Sequence, residues 1–260
     1  MTDQQIKFID GAAYERYMGV WSRLAGEVFL DWLAPAPGLR WLDVGCGNGA
    51  FTEMIVERCR PASVAGVDPS DAQLVFARTR PGLRGSDFRV GDAMALPYGD
   101  GSFDAAVMPL VIFFVPDPAK GVAEMARVVS PGGIVSAYAW DMPGGGFPYY
   151  TLQAEMRELG FAAPKPPSPD ASKEDVLREL WKHAGLRDVE TRQIVVERTF
   201  ADFDDYWQTI LGGPSIQAGL TAVGPDKVVL LKKRMRTLLP IDGDGRITYS
   251  AVANAVKGRV

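Results

Sequence analysis

Between residues 40 and 140 the chain alternates short apolar runs with amphipathic stretches, and this rhythm restricts its fold more than any other feature. The apolar runs are "RWLDVGC", "ASVAGVDPS", "DFRVGDA", "FDAAVMP" and "GGIVSAYAW". Among them, "AFTEMIVERC", "DAQLVFART" and "DPAKGVAEMARVV" carry helical spacing. Strands that alternate with helices need crossover connections, which predicts a parallel sheet with helices on both faces.

Two later strand patterns, "DVETRQIVVERTF" and "RITYSAVANAVKG", extend the expectation to a mostly parallel seven-stranded sheet. The fold class is α/β, Rossmann-like and doubly wound. Ahead of it, Tyr14, Tyr17, Trp21, Leu24 and Val28 recur at helical spacing until "APAPG" stops the helix. After Trp140, "DMPGGGFPYY" and "AAPKPPSPDAS" break regular structure. Ser172 and Asp175 fit a capping box opening a helix that ends at Gly185. "DFDDYWQTIL", "PSIQAGLTAV" and "PDKVVLLKKRMRTLL" read as a helical cap over the carboxyl edge of the sheet. At 260 residues the chain reads as one domain. Residues 1–36 form its N-terminal helical segment and 37–141 its ligand-binding core. Residues 142–187 supply loop, linker and helices, and 188–260 the last strands with the cap inserted at about 202–240.

Bulk chemistry narrows the partners. A net charge of −4 offers no electrostatic footprint for nucleic acid or an anionic membrane. Cys46 and Cys59 read as reduced thiols, and the polar start "MTDQQIKFID" is not a secretory signal, so the expectation is a cytoplasmic protein. The apolar run 105–115 is about half a membrane span, and Pro109 interrupts it. No metal-ligand cluster is visible, and a homodimer is left open.

The turn after the first strand carries the chemistry. "WLDVGCGNGAFTEM" matches G-x-G-x-x-[GA] through Gly45, Gly47 and Ala50, a pattern usually associated with dinucleotides. Gly49 adds a further glycine that lets backbone approach a ligand. Asp43 stands just before the loop, where a pyrophosphate would meet repulsion and a cation attraction. Asp68, at the end of the second strand, is placed to accept from ribose hydroxyls. Asp92 can accept from an adenine amine, and small Ala93 leaves room for the ring. The implied ligand is an adenosine with a cationic, phosphate-free tail; S-adenosylmethionine fits.

The set "LDVGCGNGAFTE", "GVDPS", "VGDAMALPYGDGSFDAAV" and "EMARVVSPGGIV" resembles the class I S-adenosylmethionine-dependent methyltransferases, in particular the small-molecule branch of ubiquinone and menaquinone biosynthesis. The resemblance spans about residues 40 to 140. It implies that Gly45, Cys46, Gly47 and Gly49 bring backbone against the methionine part of the cofactor, with Asp43 orienting the loop and the amino group. It implies that Asp68 holds the ribose, Pro69 packs beside the adenine, and Asp92 and Ala93 take the adenine edge. Met108 would lie near the methionine tail or the transferred methyl. Many relatives carry a polar residue or an N-P-P-Y type motif after the fourth strand; "VMPLVIFF" is apolar, which speaks against amino-nitrogen methylation of nucleic acid or protein. The implied product is S-adenosylhomocysteine.

The acceptor side is read from aromatic residues. Tyr14, Tyr17, Trp21, Phe113, Trp140, Tyr149 and Trp207 are candidates to wall a pocket for an apolar or aromatic small molecule, methylated at oxygen or carbon. Phe114, Phe147 and Tyr150 lie beside them in sequence. The catalytic base is not identifiable; His183, the single histidine, reads as a helix-end surface residue. "DGDGR" reads as a turn, and "LLKKRMRTLL" as a solvated face. A nicotinamide-dependent oxidoreductase and a non-catalytic cofactor-binding protein stay open as alternatives.

Overall fold

The computed structural model describes residues 15–161 and 165–260, leaving aside the side chains of Arg16, Pro214 and Ser215. The chain divides into two compact units. The larger comprises 25–144, 166–194 and 253–260; the other comprises 15–24, the described part of 145–165, and 195–252.

The sheet runs β1 (Arg40–Val44), β2 (Ser63–Asp68), β3 (Asp87–Val90), β4 (Phe103–Pro109), β5 (Val129–Trp140), β6 (Arg187–Phe200) and β7 (Ile247–Arg259). Its spatial order is β3-β2-β1-β4-β5-β7-β6, so the topology reverses between β1 and β4. The first five strands pair in parallel, and β7 runs antiparallel to β5, with Trp140 opposite Ala253. The helices are α1 (Val20–Leu33), α2 (Ala50–Cys59), α3 (Asp71–Thr79), α4 (Pro118–Val128), α5 (Tyr150–Glu158), α6 (Glu174–His183), α7 (Phe203–Ile210), α8 (Pro214–Val223) and α9 (Pro225–Leu238).

In the larger unit the period of two along β5 separates two packed faces. Tyr138 points to one, where its ring centroid lies 4.7 Å from Phe29 of α1 and 5.6 Å from Phe51 of α2. On α6, Trp181 donates from Nε1 to the Val135 carbonyl at 2.9 Å. Trp41, Leu42, Val44, Ala106, Val107 and Val135 are all buried, as expected for central strands covered on both sides. Such strands show no polar alternation.

Several sequence expectations shift. The N-terminal helix opens with a π-turn over Glu15–Gly19 before α1 begins at Val20. The third strand stops at Val90, because Asp92 and Ala95 close a small bridge of their own. The expected capping box does not form. Ser172 ends a 3-10 turn, Pro169–Ser172, where its hydroxyl donates to the Pro169 carbonyl and accepts from Met142 N. Helix α6 therefore starts one residue later, with Lys173 at the cap and no side-chain bond there.

The smaller unit holds α5, α7, α8 and α9 together with the buried aromatic residues Tyr17, Trp21, Tyr149, Phe200, Phe203, Tyr206 and Trp207. On α9, Leu231 and Met235 face inward while Val229 is 69% exposed. Arg234 pairs with Glu155, Arg236 lies over the Phe203 ring, and Lys232 lies over the Trp207 ring.

Candidate cofactor site

Strand β1 delivers Asp43 to the start of the glycine loop with no exposed surface. Its Oδ2 accepts from the Thr52 hydroxyl at 2.7 Å. Its Oδ1 is buried and has no hydrogen-bond partner. Burial lifts the carboxyl pKa to about 7; the Thr52 bond opposes the shift and the negative charge of Asp68 adds to it.

The loop is held by β2. Gly45 N and Cys46 N both donate to the Val67 carbonyl, at 2.7 and 3.0 Å. Gly47 N donates to Asp68 Oδ2 at 2.9 Å, and Ser70 N to Asp68 Oδ1 at the same distance. Burial raises the Asp68 pKa while these two amides pull it back.

The glycines serve different ends. All three have positive φ: 76° at Gly45, 51° at Gly47 and 80° at Gly49. A Cβ at Gly45 would meet Val111 Cγ1 at 2.6 Å, and one at Gly49 would meet Leu83 Cδ1 at 2.7 Å. At Gly47 nothing lies within 4 Å. Gly45 and Gly49 are therefore packing glycines, while Gly47 faces open space. Cys46 turns its side chain the other way, into a cluster with Leu74, Ala77, Leu83 and Phe88. Its thiol is pushed well above the ordinary range by burial and by Asp43 and Asp68.

At the neighbouring strand ends Pro69 and Asp92 are exposed and Ala93 half-buried. The parallel register pairs Asp68 with Val90, and Gly91 N donates to the Asp68 carbonyl at 3.2 Å, which brings Asp92 and Ala93 beside Asp68. Asp92 Oδ1 accepts from Met94 N at 2.8 Å. Met108 is fully buried, and a side chain at Gly121 of α4 would meet its Cε at 3.8 Å.

Leu110, directly after β4, was not singled out by the sequence. It has φ 59°, a left-handed conformation costly for a non-glycine residue, and donates from N to the Tyr138 carbonyl at 2.7 Å. No motif marks such a residue; its neighbour Val111 is the side chain that fills the space beside Gly45.

The aromatic candidates separate. In the smaller unit, Trp21 Nε1 donates to the Tyr149 hydroxyl at 3.1 Å, which donates to the Tyr17 carbonyl at 2.7 Å. The Tyr17 and Tyr149 rings stack at 4.5 Å and 9°. Burial raises the Tyr149 pKa. Phe147 and Tyr206 adjoin Tyr149, and Trp207 stacks on Phe203. In the larger unit, Phe113 is buried with its ring 4.6 Å from exposed Phe114. Trp140 ends β5, buried, with an unpartnered indole N–H. Tyr14 lies outside the described residues. Tyr150 is 38% exposed at the start of α5, and His183 is exposed at the end of α6. "DGDGR" forms the turn before β7, with Asp242 Oδ1 accepting from Asp244 N and Arg246 N. Among the described residues no group of three or more His, Cys, Asp or Glu side chains could hold a metal ion, and no helix is long and apolar enough to cross a membrane.

A loop of left-handed glycines at the reversal of strand order, beside a buried carboxylate with one free oxygen, suits a nucleoside bearing a cation. Comparison with known proteins agrees. Residues 42–137 match the methyltransferase domain family. This stretch of the chain is a methyltransferase domain. It is similar to rice 2-methyl-6-phytyl-1,4-hydroquinone methyltransferase 2, at 34% identity over 156 residues, 60% of this chain and 41% of that protein. It is also similar to demethylmenaquinone methyltransferase of Renibacterium salmoninarum, at 37% over 142 residues, 54% of this chain and 56% of that one. The chain thus spans about half the length of those relatives. Among solved structures, Haemonchus contortus phosphoethanolamine N-methyltransferase 2, in complex with S-adenosyl-L-methionine, shares the fold. The TM-score is 0.57 at 18% identity, over 95% of this chain and 56% of that one.

Proposed function

We propose that this protein transfers the methyl group of S-adenosylmethionine to an oxygen or ring carbon of an apolar, aromatic small molecule. The observation that carries the reading is Asp43: a buried carboxylate oxygen without a partner, at the mouth of a glycine loop, matches an ammonium or sulfonium and repels a phosphate. The nicotinamide alternative fails on the same atom.

In this reading Asp43 attracts the amino group of the cofactor, and Gly47 opens the backbone to its methionine part, with Gly45, Cys46 and Gly49 shaping the loop. Asp68 keeps acceptor capacity on both oxygens for the ribose hydroxyls, since each carboxylate oxygen has a second lone pair beyond its bond to Gly47 N or Ser70 N. Pro69, Asp92 and Ala93 border the adenine; Met108 supports the floor from within the core. When bound, the sulfonium supplies an already activated methyl group. The protein has then to align the acceptor with it and exclude water, which is a positioning task. Each unit carries its own aromatic candidates for contact with the acceptor, Phe113 and Trp140 in the larger and Tyr17, Trp21, Tyr149 and Trp207 in the smaller. The hydroquinone named for the rice relative offers both an oxygen and a ring carbon, and is the acceptor class to try first. The same reading puts the protein in the cytoplasm.

The test is transfer of isotope-labelled methyl from S-adenosylmethionine to a panel of hydroquinones, catechols and simple phenols, with the product's methylated atom assigned by NMR. Label on an aromatic acceptor supports the reading. Binding of S-adenosylhomocysteine without transfer to any acceptor would favour a non-catalytic binding protein.

A further inference from the structure

The peptide joining Asn48 to Gly49 lies in the middle of the glycine loop, and both of its polar atoms are held. Gly49 N donates to the Cys46 carbonyl at 2.9 Å. The Asn48 carbonyl accepts from Arg80 Nε at 2.7 Å. The same guanidinium reaches Glu53 Oε2 through Nη1, also at 2.7 Å. Glu53 lies in the first turn of α2, the helix the loop feeds, and its backbone N–H donates to the Gly49 carbonyl at 2.9 Å.

Arg80 belongs to a third element, the residue that ends α3, and its own N–H is fixed on the Ala77 carbonyl at 3.1 Å. The guanidinium therefore spans loop and helix from outside both. Its side chain is 17% exposed and that of Glu53 25%, so the pair is shielded where a surface ion pair would be screened. Gly49 rests against the same support, since a Cβ there would meet Leu83 Cδ1 at 2.7 Å and Ala77 Cβ at 3.1 Å.

We propose that Arg80 is a positioning residue for cofactor binding: by fixing the Asn48–Gly49 peptide it holds the loop ready for the methionine end of S-adenosylmethionine. The inference rests on the cofactor reading above. Glycine backbones at Gly47 and Gly49 interconvert freely in an untethered chain, and a loop ordered only on binding would lose affinity to that ordering. Arg80 prevents this through its bond to the Asn48 carbonyl. The task suits arginine, whose planar fork presents Nε to one acceptor and Nη1 to another; lysine offers a single point charge.

Calorimetric titration of S-adenosylhomocysteine into the wild type, Arg80→Lys, Arg80→Ala and Glu53→Gln tests it, with the melting temperature of each unliganded protein measured alongside. The expected result is a Kd about tenfold weaker for Arg80→Lys and weaker still for Arg80→Ala, as for loss of one charge-assisted bond. Guanidinium ion added to Arg80→Ala should recover affinity, and should leave the wild type unchanged. Equal Kd in wild type and both Arg80 variants would overturn the proposal. So would a loss of affinity that follows the fall in melting temperature and is not rescued by guanidinium, since that is the mark of a purely structural residue. If the wild type itself takes up no S-adenosylhomocysteine, the functional reading falls and this inference with it.

Discussion

Asp43 is a fully buried carboxylate with only one of its oxygens bonded, so its charge is poorly compensated. Its pKa of about 7 stands above the unfolded value of 3.8, so the folded state binds the extra proton between those pH values. The contribution of this group to stability is therefore greatest at low pH and declines as pH rises from about 4 to about 7. Urea titrations should show the unfolding free energy of the wild type falling relative to Asp43→Asn across that window, by up to about 4 kcal/mol. Binding has the opposite dependence. In the proposed site the ammonium shared by S-adenosylmethionine and S-adenosylhomocysteine pairs with ionised Asp43, so S-adenosylhomocysteine affinity should climb up to pH 7 and then level, with proton release detectable from calorimetry in buffers of different ionisation enthalpy. Asp43→Asn should bind more weakly and without that pH dependence. The glycines give a second contrast. Gly47→Ala meets no neighbour and carries only left-handed strain, about 1 kcal/mol, while Gly45→Ala adds a 2.6 Å approach to Val111 and should be visibly less stable by urea unfolding. The added methyl at Gly47 nevertheless fills the space proposed for the cofactor, so that variant should keep its fold and lose affinity.

Among the elements, α2 and α3 were readable to the residue because each has a glycine or proline signal at its ends and an apolar stripe between. The start of α6 was not, because Ser172 is taken by a preceding turn and by Met142 N, partners 3 and 30 residues away that local spacing does not show. The π-turn at Glu15–Gly19 is another such case. It is tied by the Tyr149 hydroxyl, which donates to the Tyr17 carbonyl and accepts from Trp21 Nε1, across 132 and 128 residues of sequence. Tyr149→Phe removes both bonds in a buried setting, and should cost about 2 kcal/mol in urea unfolding. Helical spacing alone had put Tyr17 and Trp21 on one stripe; it could not show that Tyr149 joins them.

For the molecule as a whole, a ligand that binds only the folded chain must raise its melting temperature. At a hundred times its Kd, S-adenosylhomocysteine should stabilise by about 2.7 kcal/mol and raise Tm by roughly 5–10 °C, whereas NAD should leave it unchanged. Equal shifts for both would contradict the proposed cation selectivity of the site. The strand and helix pattern, the glycine loop and the acidic residues at three strand ends were all legible from residues 40 to 140, because hydrophobic period, turn chemistry and loop position are local properties of a chain. The antiparallel placing of β7 beside β5, the different tasks of Gly45, Gly47 and Gly49, the inward turn of Cys46 and the brace from Arg80 came only with the folded chain. Each depends on which distant atoms come within a few ångströms, and on whether a polar atom finds a partner when water is removed; neither is written in the spacing of neighbours along the chain.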